Sequence, residues 1–172
     1  MLIFEGFIHD PDLESLKTGA NQLSLVEAAS LFDHLTYRYD TMYLTNIFVS
    51  IVHDLDFRIV LELGLARLNK QIDTLEKQLK RFLVPFPKRP AMFSLDAQGV
   101  RFFDDDTIFR TINSFMQGAG NKHAQAFKQA THNDDIREFF KDLLIEEMDV
   151  FDDFIKFGTL RGWLNPIPKY LP

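Results

Sequence analysis

The sequence predicts an all-α protein that folds as a four-helix bundle, with one long crossover between the second and third helices. Two observations lead to this prediction. Apolar residues recur at steps of three and four along separate segments, and residues 84–104 break this periodicity between the second segment and the third. A chain of 172 residues has the length of one domain. We therefore expect a single bundle domain over 1–172, with an irregular lead-in at 1–22 and a C-terminal tail at 163–172.

The first two predicted helices follow each other with little connection. Ser24 and Glu27 form a capping-box pattern at the start of the first helix, and no Pro or Gly interrupts the segment from there to His53. Asp54 or Asp56 can cap the second helix. Apolar residues of the second helix alternate steps of four and three, which is typical of a bundle seam: Leu61, Leu65, Leu68, Ile72, Leu75, Leu79 and Phe82.

Prolines end the second helix and mark the crossover, because Pro lacks a backbone donor and restricts the residue before it. Pro85, Pro87 and Pro90 lie in this stretch. Connections this long are unusual inside a compact domain, and a crossover along the length of a bundle accounts for one.

Two more helices are predicted after the crossover. Residues 104–106 are three Asp at the start of the third helix, where carboxylates suit the helix dipole, and Asn133 is expected to cap the fourth. Gly158 and Gly162 are expected to end the fourth helix. The predicted seams are Ile108, Ile112, Phe115, Ala119, His123, Ala126 and Ala130 in the third helix, and Ile136, Phe140, Leu143, Glu147, Val150, Phe154 and Phe157 in the fourth.

Composition excludes several classes of function. A net charge of −6 argues against non-specific binding to nucleic acid or to an anionic membrane. The absence of Cys excludes disulfides, zinc fingers and thiol nucleophiles. No apolar run approaches the ~20 residues of a membrane span, and no secretory signal is evident. We expect a cytoplasmic protein with no nucleic-acid or membrane partner.

Polar residues at seam positions mark a candidate site. Bundles with one long crossover have the ferritin-like arrangement, and we take the first and fourth helices to run in one direction and the other two in the opposite direction. Counting along the helices then puts His123, Glu147 and Tyr39 at one level, with His34 beside the seam. A second polar layer is expected nearer the other end, formed by Asn46, Glu62 and Asn113.

The first layer has two interpretations. His123 and Glu147 could ligate iron, manganese or zinc in a degenerate metal centre, with Tyr39 or His34 nearby. A di-iron centre of this fold, however, requires Glu-x-x-His pairs on two helices, and no Glu of the predicted helices has that spacing. The favoured interpretation is a hydrogen-bonded cluster of His123, Glu147 and Tyr39 that fixes helix register and needs no cofactor. No catalytic residue is assigned, because no nucleophile, phosphate-loop or zinc-protease motif occurs.

Several short motifs carry a family resemblance: Leu35-Thr-Tyr-Arg38-Tyr39, His53-Asp54-Leu-Asp56, Gln71-Ile72 with Leu75-Glu76, His123-Ala124, Asn133-Asp134 and Gly162-Trp163-Leu164. In their order and spacing, from about Leu23 onward, the chain resembles an uncharacterised ferritin-like family of spore-forming bacteria, distantly related to spore coat protein F. The resemblance implies a ferritin-like four-helix fold, and in many relatives two tandem copies of this unit. The single copy here implies a homodimer. The family has no assigned activity.

Two functions therefore stay open. The first is a structural or interaction bundle, related to sporulation and associated with the spore, that assembles with itself or with spore-coat-like proteins. The second is a metal-binding or redox protein with a degenerate centre around His123 and Glu147, of which a bundle that binds a small molecule without metal is a variant. The supply of inward carboxylates decides in favour of the first, because only Glu147 is expected at that level.

Overall fold

The computed structural model describes residues 22–91 and 103–165. Within these ranges the chain forms four helices and no strand: α1 Leu25–Ile51, α2 Leu55–Arg81, α3 Asp105–Gln129 and α4 Asp134–Arg161. The predicted all-α four-helix fold is confirmed. The lead-in through residue 21, the crossover residues 92–102 and the tail from residue 166 lie outside the described ranges. None of the described helices is long and apolar enough to cross a membrane.

The predicted caps are confirmed at three of the four helix starts. The Ser24 hydroxyl accepts from the Glu27 N–H, and the Glu27 carboxylate accepts from the Ser24 N–H at 2.8 Å. The Asp54 side chain caps α2 by accepting from the Phe57 N–H, and the Asn133 side chain caps α4 by accepting from the Ile136 N–H. Each cap satisfies backbone donors that a helix start otherwise leaves without partners.

The start of α3 is different, because Asp104 makes no side-chain capping bond. Asp105 instead accepts hydrogen bonds from the backbone N–H groups of His53 and Asp54, at 3.0 and 2.7 Å. This carboxylate therefore fastens the beginning of α3 to the turn between α1 and α2. Helices α1 and α3 run in opposite directions as a result.

Ion pairs at both ends set the direction of α4. Arg81 at the end of α2 pairs with Asp135 at the start of α4, at 2.8 Å. At the opposite end Arg161 pairs with Asp54 at 3.1 Å. Helices α2 and α4 are therefore antiparallel, so α1 and α4 run in one direction and α2 and α3 in the other.

Two apolar clusters fill the interior. One lies towards the start of α1 and contains Leu31, Leu35, Ile72, Leu75, Leu79, Ile136 and Phe140, among others. The other is aromatic and lies towards the opposite end, with Phe57, Phe109 and Phe154 at its centre. Trp163 of the predicted tail packs on Phe57, with 5.0 Å between ring centroids. Tyr170, in the same tail, lies outside the described residues.

Gly158 does not end α4, so that prediction is wrong. The helix continues to Arg161, and Gly162 ends it in the left-handed conformation at φ 70°. Gly158 is needed for packing: a Cβ there would lie 2.0 Å from the Phe109 ring. Only a residue without a side chain allows this ring to lie against the α4 backbone.

Candidate functional site

Four buried polar side chains from three helices meet in the bundle interior. His34 and Arg38 belong to α1, one helical turn apart, while His123 lies on α3 and Glu147 on α4. All four are at least 93% shielded from solvent. We call these four residues the polar cluster. Charged and polar groups this deeply buried require partners, so their contacts decide what the cluster can do.

Arg38 lies between His123 and Glu147. Its Nη2 is 2.6 Å from Nε2 of His123 and 2.7 Å from Oε2 of Glu147. A guanidinium only donates hydrogen bonds, so Nε2 of His123 accepts and the neutral ring carries its proton on Nδ1. The Nε2 atom of His123 and the Oε2 atom of Glu147 are themselves 3.7 Å apart. The guanidinium thus occupies the position between the two side chains that a metal ion would need.

His34 lies beside this pair and faces the other histidine. Its Nδ1 is 2.6 Å from the carbonyl oxygen of Ser30, which only accepts, so Nδ1 carries the proton. The rings of His34 and His123 are 5.1 Å apart between centroids, and Phe140 covers His34 at 4.6 Å. Within the described residues three buried atoms of the cluster have no hydrogen-bond partner: Nε2 of His34, Nδ1 of His123 and Nε of Arg38.

Burial and the charge of Arg38 keep both histidines neutral. Burial lowers the pKa of His34 to about 3, with further lowering from His123. Burial likewise lowers the pKa of His123; the Glu147 carboxylate opposes this and Arg38 adds to it. A histidine with a pKa near 3 is a weak base, so His34 is a poor general base at neutral pH.

The carboxylate of Glu147 stays ionised. Burial raises the pKa of Glu147, but the nearby His123 ring and the charge and hydrogen bond of Arg38 lower it by more, so the net pKa lies below its ordinary value. Neutral histidines beside an Arg–Glu pair form an interior in which opposite charges compensate. Such a network fixes the rotation of the helices that carry it.

Tyr39 lies apart from the polar cluster. It is buried, as predicted for a seam position, but its hydroxyl donates to Glu76 of α2 at 2.6 Å rather than to His123 or Glu147. Arg38, the residue before it, takes the place expected for Tyr39. Adjacent residues point about 100° apart around a helix, so Arg38 and Tyr39 exchange places when the rotation assumed for α1 is wrong by about that angle.

The second predicted polar layer does not form. Glu62 faces solvent, and the Asn46 amide donates to the Met42 carbonyl of its own helix at 2.8 Å. The Oδ1 atom of Asn113 is buried, and within the described residues it has no partner. The seam assignment at Glu62 is therefore incorrect, because Leu61, its neighbour, is the residue that points into the bundle.

Sequence reasoning did not assign Arg38 to the site. The available signal was its spacing. Arg38 follows His34 by four residues and Thr45 follows Arg38 by seven, which places all three on the same face of α1. All three are buried. The groups able to ligate a metal here are His34, His123 and Glu147, and within the described part of the chain no cluster of three or more His, Asp or Glu has metal-binding geometry.

Comparison with known proteins bears on the fold more than on the chemistry. A family model described as a protein of unknown function (DUF3231) matches residues 12–172. No curated protein matches the sequence.

Two solved structures resemble the fold. The first is described as a putative spore coat protein from Bacillus halodurans, with a TM-score of 0.82 and 18% identity, over 87% of this chain and 96% of that one. The second is a conserved hypothetical protein from Mycobacterium tuberculosis, with a TM-score of 0.66 and 17% identity, over 79% of this chain and 99% of that one. At these identities the likeness shows a shared fold alone.

Proposed function

The chain belongs to the DUF3231 family of proteins of unknown function, and we propose that it is a structural or interaction bundle. We further propose that it forms a homodimer and is associated with the spore. The observation that carries the proposal is an apolar stripe on the outside of α2. Leu55, Ile59 and Leu63 are 71%, 55% and 61% exposed. Their spacing of four residues places them on one face of the helix.

A stripe of this kind fits a second copy of the chain. Large exposed apolar residues that cluster on one face mark interaction sites more often than chance. In a two-fold dimer the same patch lies on both subunits, so one apolar stripe on one helix can cover itself in antiparallel pairing. We infer that the α2 stripes of two chains pack together.

The polar cluster supports an architectural role for the interior. Arg38 bonds to Nε2 of His123 and to Glu147, at 2.6 and 2.7 Å, so a metal ion would have to displace a paired and buried guanidinium. The helix directions and the break between α2 and α3 agree with a ferritin-like relationship, which we include in the proposal. A bundle of that ancestry without metal would keep its polar residues to fix helix pairing.

The association with the spore rests on the description of the Bacillus halodurans structure and on the sequence resemblance. It is tested by probing purified spores of the source organism for the chain with an antibody. Its presence in vegetative cells and absence from spores would contradict this part of the proposal.

Self-association is tested by sedimentation equilibrium of the parent chain and of Ile59→Glu. We expect a dimer in the parent and a monomer in the variant, because a charge buried in the centre of the α2 pairing would lack a partner. The matched control is Ile145→Glu on α4, whose side chain is 50% exposed. It adds the same charge to a different helix and should leave the dimer intact.

Two results would contradict the proposed dimer. A monomeric parent at all concentrations would exclude it. A parent dimer that survives Ile59→Glu but not Ile145→Glu would move the interface from α2 to α4.

The alternative function is metal binding around His123 and Glu147. It is favoured by the buried Nε2 of His34, an unprotonated ring nitrogen without a hydrogen-bond partner among the described residues and therefore a potential metal ligand. Elemental analysis of the chain purified without chelator, beside His123→Ala and Glu147→Ala, tests it. Near-stoichiometric iron, manganese or zinc that is lost in both variants would establish a metalloprotein. For a structural bundle we expect no metal above background, even after incubation with each ion.

A further inference from the structure

A cavity of about 240 Å³ opens into the bundle between α2 and α4. Helix α1 packs closely on α2, and α3 packs closely on α4, whereas α1 and α3 contact each other less extensively and α2 and α4 less still. These two helices are held near their ends by the pairs Arg81–Asp135 and Arg161–Asp54. The cavity lies between these two ion pairs, and residues of α1 and α3 form its floor.

The cavity walls are mainly apolar. They include residues that the seam pattern predicted as core but that are only half-buried, because they line the cavity: Leu68, Ile112, Phe115, Val150 and Phe157. An engineered apolar cavity of about 150 Å³ stays dry and binds benzene. The present cavity therefore has room for a hydrocarbon body somewhat larger than benzene.

One end of the cavity is polar and carries both signs of charge. Arg38 and Glu147 of the polar cluster reach it, and Gln71 lies beside them with its amide donating to Glu146 at 3.2 Å. The guanidinium and the carboxylate are paired at 2.7 Å, and Arg67 and Asp153, which also line the cavity, add one charge of each sign, so the lining offers a ligand no net charge. An anionic head group would meet Glu147 and a cationic one would meet Arg38, whereas a neutral group can donate to one and accept from the other.

We propose that this cavity binds a small neutral amphiphile, with a hydrocarbon body against the apolar walls and one hydroxyl or amide group at the Arg38–Glu147 end. The class includes medium-chain alcohols and alkyl-substituted phenols. Burial of the hydrocarbon supplies the affinity, and the single polar group fixes its direction in the cavity.

The test is isothermal titration calorimetry of the full chain with 1-octanol, sodium octanoate and octylamine, which share one hydrocarbon chain and differ in the charge of the head group. We expect 1-octanol to bind, and octanoate and octylamine to bind at least about tenfold more weakly. Tighter binding of either charged compound than of 1-octanol would overturn the assignment of a neutral ligand.

A variant that fills the cavity locates the binding site. Gly64 of α2 lines the cavity, and a Cβ added there meets no atom within 4 Å, so Gly64→Leu places a side chain in the space without a backbone clash. The matched control is Gly120→Leu on α3. Gly120 is also a helical glycine with no atom within 4 Å of an added Cβ, but it does not line the cavity.

Both variants replace a helical glycine with leucine, so both gain helix propensity and any difference reports the cavity. We expect Gly64→Leu to weaken 1-octanol binding at least about tenfold and Gly120→Leu to leave it unchanged. Absence of 1-octanol binding to the parent would overturn the proposal. Equal binding by the parent and Gly64→Leu would also overturn it, because the ligand would then lie elsewhere.

Discussion

Arg38 holds the positive charge of the bundle interior, and the stability of the polar cluster depends on it. The Arg38 side chain is 3% exposed, and its guanidinium bonds to both His123 and Glu147. Removing water from an ion pair consumes most of what the pair gains from attraction. The pair therefore contributes more to helix orientation than to net stability. Removing one partner should lower the free energy of unfolding far more than removing both.

We expect Arg38→Met to lower the free energy of unfolding by about 3–5 kcal/mol, because Glu147 would remain buried without a counter-charge. The double variant Arg38→Met with Glu147→Leu should recover most of this loss. His123→Ala should cost less than Arg38→Met, since the Arg38–Glu147 pair at 2.7 Å stays in place. Urea unfolding monitored by circular dichroism measures all three. A double variant as unstable as Arg38→Met alone would show that the charge pair is not the origin of the loss.

His34 should make stability depend on pH. Its pKa is lowered to about 3 in the folded chain, while an unfolded histidine has a pKa of about 6.5. The unfolded state therefore binds more protons than the folded state between these two pKa values. The contribution of His34 to stability is consequently present above pH 6.5 and is lost as the pH falls. His34 alone is expected to contribute a slope of about 1.4 kcal/mol per pH unit below pH 6, and His123, whose pKa is also lowered, adds to it. Urea unfolding at intervals from pH 7 to pH 5 measures it.

The variant that checks the origin of this slope is His34→Asn, in which an amide N–H can still donate to the Ser30 carbonyl. It should flatten the slope, whereas His53→Asn, which removes a histidine with a 65% exposed side chain, serves as the control for losing one histidine. Equal slopes in the parent and His34→Asn would assign the pH dependence to other groups.

At the scale of the element, α3 and α4 are joined by a ring lying against a backbone. The Phe109 ring of α3 stacks on Phe154 of α4, with centroids 4.4 Å apart and planes at 14°. Gly158, one helical turn further along α4, leaves the space that the ring fills. The fit is steric, so it can be tested by adding a single carbon atom.

We expect Gly158→Ala to destabilise the chain by about 1–3 kcal/mol, because the added Cβ would lie 2.0 Å from the Phe109 ring and the aromatic cluster would have to shift. Gly120→Ala is the control, with no atom within 4 Å of the added Cβ. It should stabilise the chain by about 0.5–1 kcal/mol through helix propensity. Thermal unfolding compares the two; a rise in Tm for both variants would contradict the close packing at Gly158.

At the scale of the whole molecule, the sequence was informative wherever a structure depends on neighbours along the chain. The caps at Ser24, Asp54 and Asn133 involve residues three positions apart, and they were predicted correctly. The four helices follow from the same kind of local periodicity.

Contacts between helices were harder to predict, because they depend on rotation about each helix axis. His123 and Glu147 were placed correctly as buried seam residues, but Tyr39 was assigned to a position that Arg38 occupies. The cavity between α2 and α4 had no signal at all, since its wall residues continue the apolar pattern of a filled core. The apolar pattern of a helix indicates which residues face the interior of the bundle. It does not indicate whether their side chains contact those of the other helices.

Glu27 couples the local opening of two segments that lie far apart in the sequence. Its two carboxylate oxygens accept from the Ser24 N–H at the start of α1 and from the N–H groups of His132 and Asn133 before α4, at 2.8, 3.1 and 2.9 Å. Fraying of the first turn of α1 therefore breaks bonds in a segment more than a hundred residues away. The three amide protons should exchange with solvent through one common opening event, so these two distant segments of the chain should unfold locally as one cooperative unit.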